Sequence, residues 1–228
     1  MQRYPEPEHS RTQFQIDRIA FFSDAVIAIA LTLMFLEIKI PVLGLHTTLQ
    51  EVVNKYEYQF VLHVIALFMG FYSISTLWMR HHSLFEHIVK YNDQLIKVNL
   101  YFLLTVMLLP ISTSFLFTDN EPVHLKFLFY FSNLFLCNLA YSLMLHIIFS
   151  GKNKFSSLKD EKHIKILKNK SNMVTLIFFV TNVLILFRVN WWYFVFFLFP
   201  TFRLLQAAYF KITGKTAPKR HSPRDSLP

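Results

Sequence analysis

The chain has 228 residues, of which 54% are hydrophobic, 17% aromatic and only 16% charged. Soluble domains carry about 25% charged residues and fewer apolar ones. The apolar residues also gather in runs of roughly 20, enough for a helix to cross a ~30 Å hydrocarbon core. The composition therefore excludes a soluble domain and indicates an integral membrane protein.

Six apolar segments follow a polar tail at 1–17, and together they predict an all-α polytopic protein with one six-helix domain over 18–211. The predicted spans are 19–40, 58–79, 95–117, 124–149, 172–188 and 191–210. Pro110 predicts a kink in the third span, where the hydroxyls of Ser112 and Thr113 can satisfy a freed carbonyl. Residues 212–228 form a basic tail with little reason to fold.

The chain has a formal charge of +9, and its basic residues are divided unevenly between the two predicted sides of the membrane. With a cytoplasmic N-terminus, 19 of the 23 Lys and Arg residues fall in cytoplasmic segments, leaving only Lys39, Lys55, Lys126 and Arg188 outside. This asymmetry is the positive-inside rule. It predicts a membrane protein with both termini in the cytoplasm, and it removes the reason to invoke a nucleic-acid partner. The basic connector at 151–170 would instead be attracted to anionic membrane lipid.

The first span, RIAFFSDAVIAIALTLMFLEI, carries Arg18, Ser23 and Asp24 near its start. A carboxylate in a membrane segment is costly and needs a partner or a function. Arg18 and Asp24 diverge by about 120° around a helix, so Asp24 is expected to meet a neighbouring helix instead. The candidates are Trp78, His81, His82 and Asn99. Two interpretations remain open, a buried polar clamp and a direct role in ion binding or proton relay.

Further along the same helix, Ile29, Thr32, Leu33 and Leu36 follow the i, i+3, i+4, i+7 spacing of one helix face. Such a stripe commonly packs a bundle core, and a Thr hydroxyl can bond back to its own helix. Periodicity alone therefore does not predict a pore.

Several classes of chemistry are excluded by what the sequence lacks. The four glycines form no phosphate-binding loop, and no TVGYG-like string supplies a carbonyl-lined filter. His81 and His82 are adjacent and point to different helix faces, and with His87 they lack the further ligands of a metal site. No glycine-flanked nucleophile turn is present. We expect no enzyme, no nucleotide partner, no fixed metal and no cofactor.

The string Arg18-Ile-Ala-Phe-Phe22-Ser23-Asp24, continued as AVIAIALTLMFLEIKIP, resembles the signature of the lysosomal potassium channel family (transmembrane protein 175), in its bacterial single-repeat branch. The segments LWMRHHSLF and VNLYFLLTVMLLPISTSF are similar to that family's second and third helices. The resemblance implies six helices without a P-loop and a homotetramer whose first helices line a central cation pore.

The resemblance also implies roles for individual positions. Ile29, Leu33 and Leu36 correspond to apolar layers of a pore constriction, and Thr32 corresponds to a hydroxyl ring linked to potassium preference. The signature residues imply a hydrogen-bonded network around the first helix, which here would comprise Arg18, Phe22, Ser23, Asp24, Trp78, His81, His82 and Asn99. One helix cannot surround a pore by itself, so a chain with one copy of the motif requires symmetry.

The sequence therefore predicts a potassium-preferring cation channel with a dewetting constriction. The alternative is a proton-coupled secondary transporter that uses Asp24 and the His81/His82 region. Transporters often contain inverted repeats, and no internal repeat is evident here.

Overall fold

The computed structural model describes residues 8–36, 49–117, 122–150, 155–158 and 160–188, with side chains from residue 12 in the first helix and from residue 63 in the second. This part of the chain forms six helices: α1 Glu8–Leu36, α2 Leu49–Phe85, α3 Asp93–Met107, α4 Leu109–Leu116, α5 Val123–Ile148 and α6 Glu161–Leu186. The helical fold predicted from the sequence is confirmed.

Four stretches of the described chain are long and apolar enough to cross a membrane: Thr12–Leu36, Asp93–Leu116, Val123–Ile148 and Glu161–Leu186. They correspond to the first, third, fourth and fifth predicted spans. The second predicted span, 58–79, lies on α2 and starts before the described side chains of that helix. The sixth span (191–210) and the C-terminal tail at 212–228 lie outside the described residues, so the count of six spans remains a prediction.

Three helices extend more than one turn beyond their predicted spans, and α6 does so by starting at Glu161 and not near residue 172. α1 begins at Glu8, inside the segment predicted as a polar tail, because this stretch contains no Gly or Pro and Gln13 Nε2 donates to Asp17 Oδ1 one turn later at 3.0 Å. α2 continues through Phe85, so the link to α3 is shorter than predicted. Asn92 ends that link, since its side chain accepts from the backbone N–H of Leu95 at 2.8 Å and caps α3.

The kink predicted at Pro110 is a break between α3 and α4, with Leu108 at the junction. The two hydroxyls behave differently from the prediction. Ser112 Oγ and Thr113 Oγ1 both donate to the carbonyl of Leu109, at 3.1 and 2.7 Å. They therefore do not reach the i−4 carbonyl of Val106 that the proline ring frees. The break turns α4 so that it packs on α1, α2 and α5.

The core lies between α1–α4 on one side and the antiparallel α5–α6 hairpin on the other. The links at one end of the helices are also joined. Val89 N donates to Phe155 O at 2.9 Å and Ser157 N donates to His87 O at 2.8 Å, so that Ile88 and Ser156 form an antiparallel bridge. This bridge connects the α2–α3 link to the segment that precedes α6.

Candidate ion-conduction helix and its supporting network

The first helix has two opposite faces. One face packs against α2, α3 and α4 and is fully buried, and it consists of Ile16, Ser23, Ile27, Ala30 and Met34. Their spacing of seven, four, three and four residues follows the helical period. The opposite face is not covered by the described part of the chain. α1 is therefore an apolar helix that is packed on one side only.

The predicted stripe lies on or beside that uncovered face. Ile29 is 52% exposed and Leu36 78% exposed, and Thr32 is exposed between them. Leu33 lies on the flank of the face and is half-buried. The Thr32 hydroxyl donates a 2.7 Å hydrogen bond to the carbonyl of Ile29. Because its proton is committed to this bond, Oγ1 presents only acceptor lone pairs to the uncovered side.

Hydrogen bonds link three polar side chains in series, and one of them, Ser23, lies on the buried face of α1. Asn99 on α3 receives a bond at Oδ1 from His81 Nε2 of α2, 2.8 Å away. Its Nδ2 donates to Ser23 Oγ at 2.9 Å, and the Ser23 hydroxyl donates to the carbonyl of Ile19 at 2.8 Å. With the proton of His81 on Nε2, every donor in this chain has an acceptor. Three helices are thereby joined through groups that are almost entirely buried.

The imidazole of His81 is held between two aromatic rings. Its centroid lies 4.3 Å from Phe85 and 5.2 Å from Phe102, with interplanar angles of 24° and 7°. These contacts fix the ring plane that aims Nε2 at Asn99. The position suits a structural histidine rather than a group that exchanges protons with solvent.

Asp24 contacts a different residue on α2. Trp78 Nε1 donates to Asp24 Oδ1 at 2.9 Å, and the indole also stacks on His82 at a centroid distance of 5.5 Å. His82 Nε2 lies 3.5 Å from Glu86 Oε1. Thus, of the four candidate partners of Asp24, Trp78 makes the contact. Asn99 instead bonds to the neighbouring Ser23, and His81 bonds to Asn99.

Two of the predicted network residues stand apart from these contacts. Arg18 Cζ lies 5.9 Å from the centroid of the Phe14 ring, one turn earlier on its own helix. Phe22 is exposed on the uncovered side of α1. Within the described residues, no group of three or more His, Cys, Asp or Glu side chains could hold a metal ion.

Sequence reasoning missed a second polar junction, between α2 and α5. Arg80 Nη1 donates to Asn138 Oδ1 at 2.7 Å, and its guanidinium lies 4.1 Å from the centroid of the Tyr141 ring. Tyr141 returns a bond from its hydroxyl to the carbonyl of Arg80 at 3.3 Å. The signal was present in the sequence, because Asn138 is a strongly polar residue within an apolar span.

The chain is similar to several known proteins. Residues 18–110 match the family model of the endosomal/lysosomal potassium channel TMEM175. A potassium channel from Chryseobacterium sp. (strain P1-3) is 28% identical over 169 residues, which cover 73% of this chain and 80% of that relative. A potassium channel from Chamaesiphon minutus is 33% identical over 116 residues, 48% of this chain and 51% of that relative.

A solved structure has the same fold. The crystal structure of a lysosomal potassium-selective channel TMEM175 homolog from Chamaesiphon minutus superposes with a TM-score of 0.69 at 20% sequence identity, covering 84% of this chain and 97% of that one. The chain therefore shares the helical fold of that channel. The family whose model it matches is an ion channel and not an enzyme. The resemblance carried by the signature from Arg18 to Asp24 is confirmed, since the match to the TMEM175 family model includes these residues.

Proposed function

We propose that this chain forms a passive, potassium-preferring cation channel whose pore is lined by α1. The observation that carries this proposal is the division of α1 into two faces. One face is fixed to α2, α3 and α4 by packing and by the Ser23–Asn99–His81 bonds. The other presents Ile29, Thr32 and Leu36 uncovered, as a pore-lining helix must.

Because the chain contains one copy of this helix, a pore requires several copies of the chain arranged by symmetry. A heterologous contact that closes on itself gives a ring, and we propose a homotetramer with four α1 helices around one axis. The exposed Ala25 and Ala28 on α1 favour close approach between helices in a membrane. In this assembly the uncovered face of each α1 is shared between the pore and the adjacent subunits.

Within such a ring, Ile29, Leu33 and Leu36 would form apolar layers that gate by dewetting. Thr32 would contribute a ring of hydroxyl oxygens. Because each hydroxyl already donates to Ile29 O, each oxygen would offer lone pairs to a cation and no proton to repel it. This arrangement can replace part of the hydration shell of K⁺, giving modest preference over Na⁺. We place the channel in the inner membrane, as the resemblance to the bacterial branch implies, with both termini in the cytoplasm on the charge asymmetry of the sequence.

The test is ion flux in liposomes that contain purified protein and a pH-sensitive dye. For a channel, downhill K⁺ flux charges the membrane, requires no proton gradient and exceeds Na⁺ flux. Flux that stops without a proton gradient, or K⁺ movement with a fixed proton stoichiometry, would instead assign the protein to the proton-coupled transporters, with Asp24 and the His81/His82 region as the candidate relay.

The constriction is tested by Ile29→Asn, which should wet the apolar layer and raise the basal current in planar bilayers at least severalfold. Ile65→Asn is the matched control, since Ile65 on α2 is exposed to a similar degree, 46% against 52%. An unchanged conductance of Ile29→Asn, or an equal increase in both variants, would remove Ile29 from the gate.

A further inference from the structure

The α5–α6 hairpin carries a surface that the proposed conduction path does not use. On α6, Lys165, Asn172, Leu176 and Phe179 are all exposed and recur at i, i+7, i+11 and i+14, which is one helix face. On α5, the exposed residues Leu136, Leu143 and His146 follow the adjacent edge. The surface is polar and basic near the C-terminus of α5 and the N-terminus of α6. It is apolar farther from these two helix ends.

A hydrogen-bonded cluster joins the two helices at the boundary between these zones. Asn172 Oδ1 accepts from Ser142 Oγ at 2.6 Å and lies 3.2 Å from His146 Nε2. Both contacts use the carbonyl oxygen, so the amide is held with its Nδ2 donors directed away from them. Within the described residues, this Nδ2 donates to no protein acceptor. Asn172 is thus a fixed hydrogen-bond donor on an exposed surface.

Lys165 supplies a positive charge above that donor. Lys165 lies seven residues before Asn172 on the same face, about 10 Å nearer the N-terminus of α6. Its flexible four-carbon side chain lets the ammonium bend back toward the amide of Asn172. Lys168 does not compete for the same ligand, because its Nζ donates to the carbonyl of Phe149 at 3.0 Å and so ties the end of α5 to α6.

The apolar zone below the donor has the character of an acyl-chain surface. Leu143 is 46% exposed and Leu176 is 59% exposed. Leu143 is next to Ser142 of the polar cluster, and Leu176 lies one turn beyond Asn172 on the side of the membrane interior. α5 and α6 are each long and apolar enough to span the bilayer. A ligand that fits this surface carries a negative oxyanion at one end and hydrocarbon at the other.

We propose that Lys165 and Asn172 bind the phosphate of an anionic glycerophospholipid, with an acyl chain lying along Leu143 and Leu176. The headgroup would contact α6, and the acyl chain would contact both α5 and α6, outside the proposed pore. The proposal concerns lipid retention and does not depend on conduction, so it can fail or hold independently of the channel assignment.

The experiment measures lipid bound to the purified full-length protein by native mass spectrometry, with phosphatidylglycerol and phosphatidylcholine as probes. Lys165→Gln removes the charge. Asn172→Asp keeps an oxygen for Ser142 and His146 but removes the Nδ2 donor and adds a negative charge. The matched control is the double variant Gln94→Glu/Lys97→Gln, which makes the same charge changes at exposed positions in the first turns of α3.

We expect the wild type to retain phosphatidylglycerol in preference to phosphatidylcholine. Lys165→Gln should weaken phosphatidylglycerol binding about fivefold, the effect of one lysine at an anionic surface, and the double variant Lys165→Gln/Asn172→Asp should weaken it more than tenfold. The control should bind as the wild type does.

Four outcomes would overturn the proposal. They are equal retention of the two lipids, unchanged phosphatidylglycerol binding by Lys165→Gln/Asn172→Asp, an equal loss in the control, and displacement of the lipid by inorganic phosphate at equal concentration. The last would assign the site to a free anion. Loss of oligomers in Lys165→Gln/Asn172→Asp, seen by the same spectra, would assign this face to an interface between copies of the chain.

Discussion

The indole N–H of Trp78 donates a 2.9 Å hydrogen bond to the carboxylate of Asp24. The bond joins the C-terminal part of α2 to α1, at the residue that follows Ser23. A carboxyl group in a membrane-spanning helix is costly unless it has a partner. The contact therefore gives the membrane carboxylate a fixed partner, and it favours the interpretation of Asp24 as a clamp over that of an ion relay.

Trp78→Phe keeps an aromatic ring on His82 but removes this donor, and we expect it to lower the stability of the protein by roughly 1–2 kcal/mol. Thermal unfolding in detergent measures the loss. In an Asp24→Ala background the same substitution should cost much less, because the acceptor is already gone. Equal costs in the two backgrounds would show that Trp78 acts through its ring and not through the bond. Size-exclusion profiles of the same variants report whether the clamp also supports the oligomer.

Asn99→Leu should be more damaging. It keeps the volume of the side chain but leaves Ser23 Oγ and His81 Nε2 without their shared partner in a buried site, and each unsatisfied polar group costs about 1–3 kcal/mol. We expect a loss of roughly 2–4 kcal/mol in unfolding measurements. Asn169→Leu on the exposed surface of α6 is the control and should change stability by less than about 0.5 kcal/mol. A neutral Asn99→Leu would contradict the assigned network.

Gly70 lies at a close contact between α1 and α2. A Cβ at this position would overlap the terminal methyl of Met34 and lie 3.3 Å from Thr113 Oγ1. Met34 is buried and has little room to move, so Gly70→Ala should destabilise the protein by about 1–3 kcal/mol. The double variant Gly70→Ala/Met34→Ala frees the space and should be more stable than the sum of the two single changes predicts. Strict additivity in thermal unfolding would show that the two residues are not in conflict.

The parts of the structure that the sequence predicted are those that depend on local rules. Apolar runs predicted the helices, and Pro110 predicted the break between α3 and α4 because its ring acts within one turn of helix. The signature around Ser23 and Asp24 indicated polar contacts for α1, and it named Trp78, His81 and Asn99 among the partners.

The contacts that the sequence did not predict depend on how helices that are far apart in the chain pack against each other. Nothing in the sequence distinguishes Trp78 from His81 as the partner of Asp24, since both positions lie on the end of α2 and the choice follows from its rotation against α1. Arg80 and Asn138 are 58 residues apart and meet only because α5 crosses α2 at that level. The bridge between Ile88 and Ser156 likewise joins two links whose proximity is set by the helices they connect.

Substitution of Thr32 is the most direct test of ion selectivity in the proposed pore. Thr32→Val preserves the shape of the side chain and removes the oxygen whose proton is held by Ile29 O. We expect the potassium-to-sodium permeability ratio to fall severalfold in bi-ionic planar-bilayer recordings, with little change in stability.

Thr105→Val is the matched control for this prediction, because Thr105 makes the same 2.7 Å bond to the carbonyl three residues earlier but lies on α3. It should leave the reversal potential unchanged, since its hydroxyl faces no ion path. A reversal potential that Thr32→Val does not alter would place selectivity elsewhere on α1. A shift of equal size in both variants would show that hydroxyl removal acts through helix geometry and not through contact with the ion.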